Sequence, residues 1–287
     1  MANIPQKIVH KYLRQKKKFP HVWCPGCSNG IVLGTIIRAI SELKYEKDDV
    51  MMVSGIGCSS RMPVYVDFNT LHSIHGRAIA FATGIKMYKP RLKVIVVTGD
   101  GDSVAIGGNH FIHAARRNID ITVVVINNNI YGMTGGQFSP TTPTGDLATT
   151  TPHGNIDSPF DICKLAEGSG ASFVARTTAY HAIEARDIVK KALAHEGLSV
   201  VDYISSCPVI YGRLNKKGGA PEMMRWMKDK SLPIKAAEKL PDDKIAGKFI
   251  RGIFRQEERA EYTKEYRRLI NQLSKSKNKK QAKGGKK

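Results

Sequence analysis

Three short runs along the chain, Asp49 to Ser54, Lys93 to Thr98 and Ile121 to Ile126, are continuously apolar and rich in β-branched residues. Strands covered on both faces have this pattern, whereas a half-exposed strand alternates. Two further strand candidates are Ser172 to Arg176 and Ser199 to Ser205. Between the runs, Asn29 to Leu43, Arg77 to Tyr88, Val104 to Arg117 and a stretch near Ala182 to His195 show helical spacing with few breakers. Strands alternating with helices predict an α/β fold: a doubly wound, mostly parallel sheet with right-handed crossovers.

Residues 1–210 read as one domain on this pattern. Beyond residue 208 the periodicity weakens through the loop Asn215 to Pro221. Residues 211–273 form a C-terminal arm of short helices and irregular segments, and 274–287 a Lys-rich tail expected to be disordered. In an open α/β sheet, ligands bind beyond the carboxyl ends of the strands. The unusual sequences fall there: Ile56-Gly57-Cys58-Ser59, Gly99-Asp100-Gly101-Asp102, the segment from Asn127 to Thr134, and Cys207.

Composition narrows the class. No apolar stretch is long enough to span a bilayer, and the N-terminus has no signal-like apolar core, so a soluble, cytoplasmic protein is expected. Of the net charge of +20, the tail supplies seven lysines, and the rest of the chain stays strongly basic, with a second cluster at Arg14 and Lys16 to Lys18. Such a surface attracts acidic partners, among them nucleic acid or an acidic redox protein. In a reducing compartment the five cysteines need an account other than disulfides.

The chemistry sits in two constellations. An Asp at one strand end and an Asn at the next can place hard oxygen ligands on one divalent cation. A cation of that kind usually shares its coordination shell with phosphate oxygens. Asp100 supplies a charged oxygen, an Asn of the run Asn127-Asn128-Asn129 and a loop carbonyl supply neutral ones, and the glycines let the backbone come close. The second constellation is Cys24-Pro25-Gly26-Cys27 with Cys58 and Cys207, each of the latter at a predicted strand end. A zinc knuckle brings a second close Cys or His pair, which is missing. Four thiolates gathered from distant segments suit a [4Fe-4S] cluster better. Cys163, on a helical apolar face, reads as core.

Taken together, Trp-Cys-Pro-Gly-Cys, Gly-Ile-Gly-Cys-Ser-Ser-Arg, Leu-His-Ser-Ile-His-Gly-Arg-Ala, Gly-Asp-Gly-Asp, Asn-Asn-Ile-Tyr-Gly-Met-Thr-Gly-Gly-Gln and Ser-Cys-Pro resemble the β subunit of 2-oxoacid:ferredoxin oxidoreductases of the 2-oxoglutarate type, from Trp23 to about Tyr211. The resemblance implies a sheet of the thiamine-diphosphate-binding type. It makes Asp100, the Asn128 side chain and the Ile130 carbonyl the Mg2+ ligands, and Cys24, Cys27, Cys58 and Cys207 the [4Fe-4S] ligands. Contacts to thiamine diphosphate would come from Ile56, Gly57, Cys58, Ser59, His75, Gly101, Asp102, Gly132, Met133 and Thr134. Arg61 is a candidate fork for a substrate carboxylate.

The implied reaction is oxidative decarboxylation of 2-oxoglutarate to succinyl-CoA and CO2, or its reverse, with coenzyme A as co-substrate and ferredoxin as electron acceptor. The implied partner is an α subunit, and the implied assembly is a dimer of αβ units. Relatives that carry a lysine at the position of Gly135 give no guide to this chain's substrate choice. A pyruvate or branched-chain 2-oxoacid enzyme is the rival with the same chemistry. A basic zinc-containing nucleic-acid-binding protein is the rival of another class, disfavoured because it leaves Asp100 and Asn128 unexplained.

Overall fold

The computed structural model describes residues 8, 10–14 and 20–284, with side chains placed as far as 275. Lys16 to Lys18 of the N-terminal basic cluster lie outside the described residues. Among the described residues ten strands form in chain order: β1 (Val50–Ser54), β2 (Asn69–His72), β3 (Lys93–Gly99), β4 (Thr122–Asn127), β5 (Ile130–Tyr131), β6 (Gln137–Phe138), β7 (Phe173–Thr178), β8 (Ser199–Ile204), β9 (Ser231–Pro233) and β10 (Phe249–Gln256). Eight of them make one sheet in the order β2-β1-β3-β4-β8-β7-β10-β9, parallel except that β10 runs antiparallel to β7. The expected doubly wound sheet is therefore present.

Both faces are covered, which is why the central strands are continuously apolar. One face carries Val124, Ile126, Ala175, Val201 and Tyr203 against the helices Asn29–Glu42 and Ala182–Ala194. The other carries Val96, Val123, Val125, Val174 and Val200 against Ala78–Tyr88, Gly108–Arg117 and Ile162–Gly168. Cys163 is buried in this second layer, as expected. Neighbouring strand ends are in step, with Gly99 paired to Ile126 and Asn127 to Ile204. Strand order reverses at β1, whose two neighbours are β2 and β3, and the crevice opens there.

Three features differ from expectation. The helix expected from Val104 starts at Gly108, because Gly101–Ala105 forms a wide π-type turn first. The C-terminal arm is not only helical: β10 adds to the sheet edge and β9 pairs with it. Its sequence, Phe-Ile-Arg-Gly-Ile-Phe-Arg-Gln, neither alternates nor runs apolar, since a half-covered strand next to the sheet edge with a bulge near Ile253 imposes neither pattern. The edge strand β2 has no apolar run for the same reason.

Of the Lys-rich segment 274–287, expected to be a disordered tail, the backbone as far as Gly284 continues the last helix, Tyr262–Gly284; residues 285–287 lie outside the described residues. Among the described residues no helix is long and apolar enough to cross a membrane.

Phe111 is fully buried where its helix meets β3 and β4. Phe111→Ala is expected to lower unfolding stability by about 3–5 kcal/mol. Chemical denaturation checks this, and a loss below about 1 kcal/mol would mean that this layer is loosely packed.

Candidate active site

The ends of β1, β2 and β3 are tied by one side chain. Asp102 is buried, and its Oδ1 accepts from the Ile56 N–H at 3.3 Å and the Gly76 N–H at 2.7 Å, while Oδ2 accepts from Thr98 Oγ1 at 2.7 Å. His75 Nδ1 also bonds to Oδ1. A Cβ at residue 55 would lie 1.9 Å from Oδ2, so glycine is required there. The carboxylate of Asp102 is thus spent on holding the loops 55–59 and 75–76 over the end of β3. The turn Gly101–Ala105 brings it into the sheet's mouth.

Those loops bound a cleft with about 110 Å3 of free space. Ile56, Gly57, Cys58, Ser59, His75, Asp100, Gly101, Asp102, Asn128, Ile130, Gly132, Met133 and Thr134 all line it. Every position expected to meet the metal or the diphosphate cofactor is therefore in one place; Arg61 is not among them. Gly101 has a different reason from the expected one. A Cβ there would stand 2.2 Å from the Tyr131 ring, so the glycine makes room for an aromatic wall.

Asp100 is 3% exposed, and its Oδ2 accepts from Ser139 Oγ and Thr141 Oγ1, each at 2.6 Å. Burial pushes its carboxyl above the usual range, against the pull of those two hydroxyls. A cation beside such a group would offset the cost of burying its charge. The three successive asparagines divide their work. Asn127 is buried, donating to Asp202 Oδ1 at 3.2 Å, and its Oδ1 lies 2.9 Å from Thr141 Oγ1, competing with Asp100 for that hydroxyl's one proton. Asn129 takes a left-handed conformation, φ 61°, which reverses the chain. Asn128 alone of the three faces the cleft, and its Oδ1 accepts from the Ile130 N–H at 3.2 Å.

A second cavity, of about 90 Å3, is lined by Cys24, Cys27, Cys58 and Cys207 together with Trp23 and Arg61. Two hydrogen bonds gather these distant segments. Ser28 Oγ and Ser206 Oγ, buried and 2.5 Å apart, clasp the residues next to Cys27 and Cys207, and the Trp23 indole N–H donates to the Cys58 carbonyl at 2.7 Å. Burial pushes the Cys27 thiol up to about 12 and raises Cys58 and Cys207 also, so these free thiols carry their protons at neutral pH. No group of three or more His, Cys, Asp or Glu among the described residues is close enough to hold a single metal ion.

Cys58, Asn128, Gly132 and Met133 line both cavities and form the wall between them. A Cβ at Gly132 would touch Cys207 Sγ at 3.6 Å and Cys58 Sγ at 3.8 Å, so the wall is one glycine thick at that point.

Residues 55–203 match the family described as thiamine pyrophosphate enzyme, C-terminal TPP binding domain. The chain is 48% identical over 263 residues to 2-oxoglutarate synthase subunit KorB of Methanocaldococcus jannaschii, spanning 92% of this chain and 97% of that one. It is 47% identical over 268 residues to the KorB of Archaeoglobus fulgidus, spanning 93% and 96%. The chain belongs to the KorB family of 2-oxoglutarate synthase subunits. Its fold superposes with TM-score 0.82 and 32% identity on a 2-oxoglutarate:ferredoxin oxidoreductase from Magnetococcus marinus with 2-oxoglutarate, coenzyme A and succinyl-CoA bound, over 96% of this chain and 92% of that one. Of the four cavity cysteines of this KorB-family chain, Cys24, Cys27 and Cys207 lie outside the stretch 55–203 and Cys58 lies within it. The cysteine cavity is therefore built from both flanks onto a thiamine-pyrophosphate-binding domain.

Sequence reasoning missed Ser139 and Thr141, which lie in a hydroxyl- and proline-rich loop with no diagnostic spacing, and Asn29. Asn29 is 2% exposed and lines the cleft, and its Oδ1 accepts no hydrogen bond.

Asp102→Ala would strand the Ile56 and Gly76 N–H groups and is expected to cost roughly 2–4 kcal/mol. Amide hydrogen exchange checks it: faster exchange at both positions is expected, and unchanged protection would refute the clasp.

Proposed function

We propose that this chain is the β subunit of a coenzyme A-dependent 2-oxoglutarate:ferredoxin oxidoreductase. The reaction is oxidative decarboxylation of 2-oxoglutarate to succinyl-CoA and CO2, or the reductive reverse, with ferredoxin as the electron carrier. The observation that carries this reading is the shared wall: a cleft built for a metal-held diphosphate backs directly onto a cavity of four cysteines. A non-redox thiamine enzyme has no use for the second cavity.

The residues fit the groups this reaction requires. Asp100, Asn128 and the Ile130 carbonyl would hold Mg2+, presenting one charged and two neutral oxygens. The loop 56–59, His75 and the segment 132–134 would hold the diphosphate and thiazolium end of thiamine diphosphate. Bound there, the cofactor supplies a carbon nucleophile and an electron sink for the 2-oxo carbon. Cys24, Cys27, Cys58 and Cys207 would ligate a [4Fe-4S] cluster. Their spread around a cavity, too wide for one ion, fits a cluster of several atoms.

The chain's own contribution is placement. Asp102 fixes His75 and the loop 56–59, Tyr131 walls the cleft, and Ser28, Ser206 and Trp23 pre-assemble the cysteines. Arg61, exposed beside Cys58, is the candidate for the substrate's carboxylate, approached from the cysteine side. The cleft rim exposes Ile56, Ile74, Ile106 and Met133, an apolar edge for the α subunit that would complete the cofactor site, as a dimer of αβ units. The basic surface favours an acidic ferredoxin in the cytoplasm.

Three results test the reading. Protein purified anaerobically with its α subunit should be brown, with iron and sulfide each near four per chain; colourless protein with zinc would overturn the cluster. Asp100→Ala should abolish Mg2+-dependent binding of thiamine diphosphate. With a low-potential acceptor, 2-oxoglutarate should turn over faster than pyruvate, and a wide margin the other way would overturn the substrate assignment.

A further inference from the structure

The buried Arg176 is remote from the cleft in sequence, yet it ends a chain of polar contacts that reaches Asp100. Arg176 and Asp202 are cross-strand partners on β7 and β8. Arg176 Nε donates to Asp202 Oδ2 at 2.7 Å, and its Nη2 donates to Asp161 Oδ1 at 2.6 Å. The other oxygen of Asp202 accepts from Asn127 Nδ2 at 3.2 Å. Asn127 Oδ1 then accepts from the Asn129 N–H at 3.4 Å and lies 2.9 Å from Thr141 Oγ1, whose single proton is shared between it and Asp100 Oδ2, 2.6 Å from the same hydroxyl. Asp202 is 1% exposed, Asn127 6% and Thr141 5%, so water does not substitute for any link.

The donors and acceptors in this chain are fixed by its far end. A guanidinium only donates, so Asp202 must accept from Arg176. Because Asp202 is a carboxylate it accepts on its other side also, which turns the Asn127 amide N–H2 toward it and the amide oxygen toward Asn129 and Thr141. That oxygen holds the turn from which Asn128 and the Ile130 carbonyl project.

We propose that Asp202, anchored by Arg176, is a positioning residue for the metal site: it sets the amide orientation of Asn127 and thereby the placement of Asn128 and of the Thr141 hydroxyl on Asp100. This rests on the reading of Asp100, Asn128 and Ile130 as the Mg2+ ligands.

The orientation argument gives an unusual test. In Asp202→Asn the new amide must present its oxygen to Arg176 and its N–H2 to Asn127. Asn127 must then invert, which points its own N–H2 at the Asn129 N–H, and the turn loses its acceptor. In Asn127→Asp two carboxylates face each other. In the double variant Asp202→Asn/Asn127→Asp the pattern is restored, with the acceptor now on the other partner.

The αβ complex, stripped of cofactor, is titrated with Mg2+ while bound thiamine diphosphate is measured by equilibrium dialysis, a readout independent of turnover. Each single variant is expected to need about tenfold more Mg2+, and the double variant to return to within about threefold of the native complex. Singles without effect overturn the proposal. So does a double variant that binds no better than the better single, whether or not the singles fold. Asp100→Ala run alongside separates the two readings: if it still binds, the metal assignment itself fails, irrespective of the relay.

Discussion

The Asp102 carboxylate is the interaction on which the site depends. A parallel sheet brings its strand ends together but leaves their loops free to splay. One buried carboxylate that accepts from Ile56, Gly76, Thr98 and His75 makes the mouth of β1, β2 and β3 a single rigid rim. Each of these donors is a backbone or side-chain group that would be costly to bury alone. Gly55, Gly76 and Gly107 stand where a side chain would collide with this arrangement. The wide turn Gly101–Ala105 fits the same demand, since an ordinary helical start would carry Asp102 elsewhere.

On that rim the chain assembles two cavities with a common wall. The cleft side is centred on a buried carboxylate whose desolvation a cation would relieve. The cysteine side is held from behind, by the Ser28–Ser206 clasp and by the Trp23 indole on the Cys58 carbonyl. Neither clasp uses a sulfur atom, so the thiols stay free for ligation while their backbone is fixed. The match to a thiamine-pyrophosphate-binding domain covers residues 55–203, and three of the four cysteines come from outside it. The cysteine cavity is in this sense an addition at both flanks of the thiamine-pyrophosphate-binding domain, meeting its cleft at Gly132.

Much of this was legible in the sequence. The central strands announce themselves because burial on both faces leaves them continuously apolar, and Cys-x-x-Cys and Gly-Asp-Gly carry chemistry in their spacing. The edge strand β2 and the strand β10 were not legible, since half-exposed strands follow their neighbours more than their own pattern. Among the site residues, those that line the two cavities are named by sequence motifs, and those that only hold them in place are not. Ser139, Thr141, Arg176 and Asp202 act through contacts between residues far apart in sequence, which no local motif encodes. Arg61 stands with the cysteines and not with the diphosphate cleft, a placement that sequence spacing alone leaves open.

The central claim is that the two cavities work as one device, with electrons leaving the cleft through the cysteine wall. The most direct measurement is the visible absorption of the anaerobic αβ complex on adding 2-oxoglutarate and coenzyme A without an external acceptor. The account predicts prompt bleaching of the iron–sulfur colour in the native complex and none in Asp100→Ala of equal iron content. Equal bleaching in both, or none in the native complex, would contradict it.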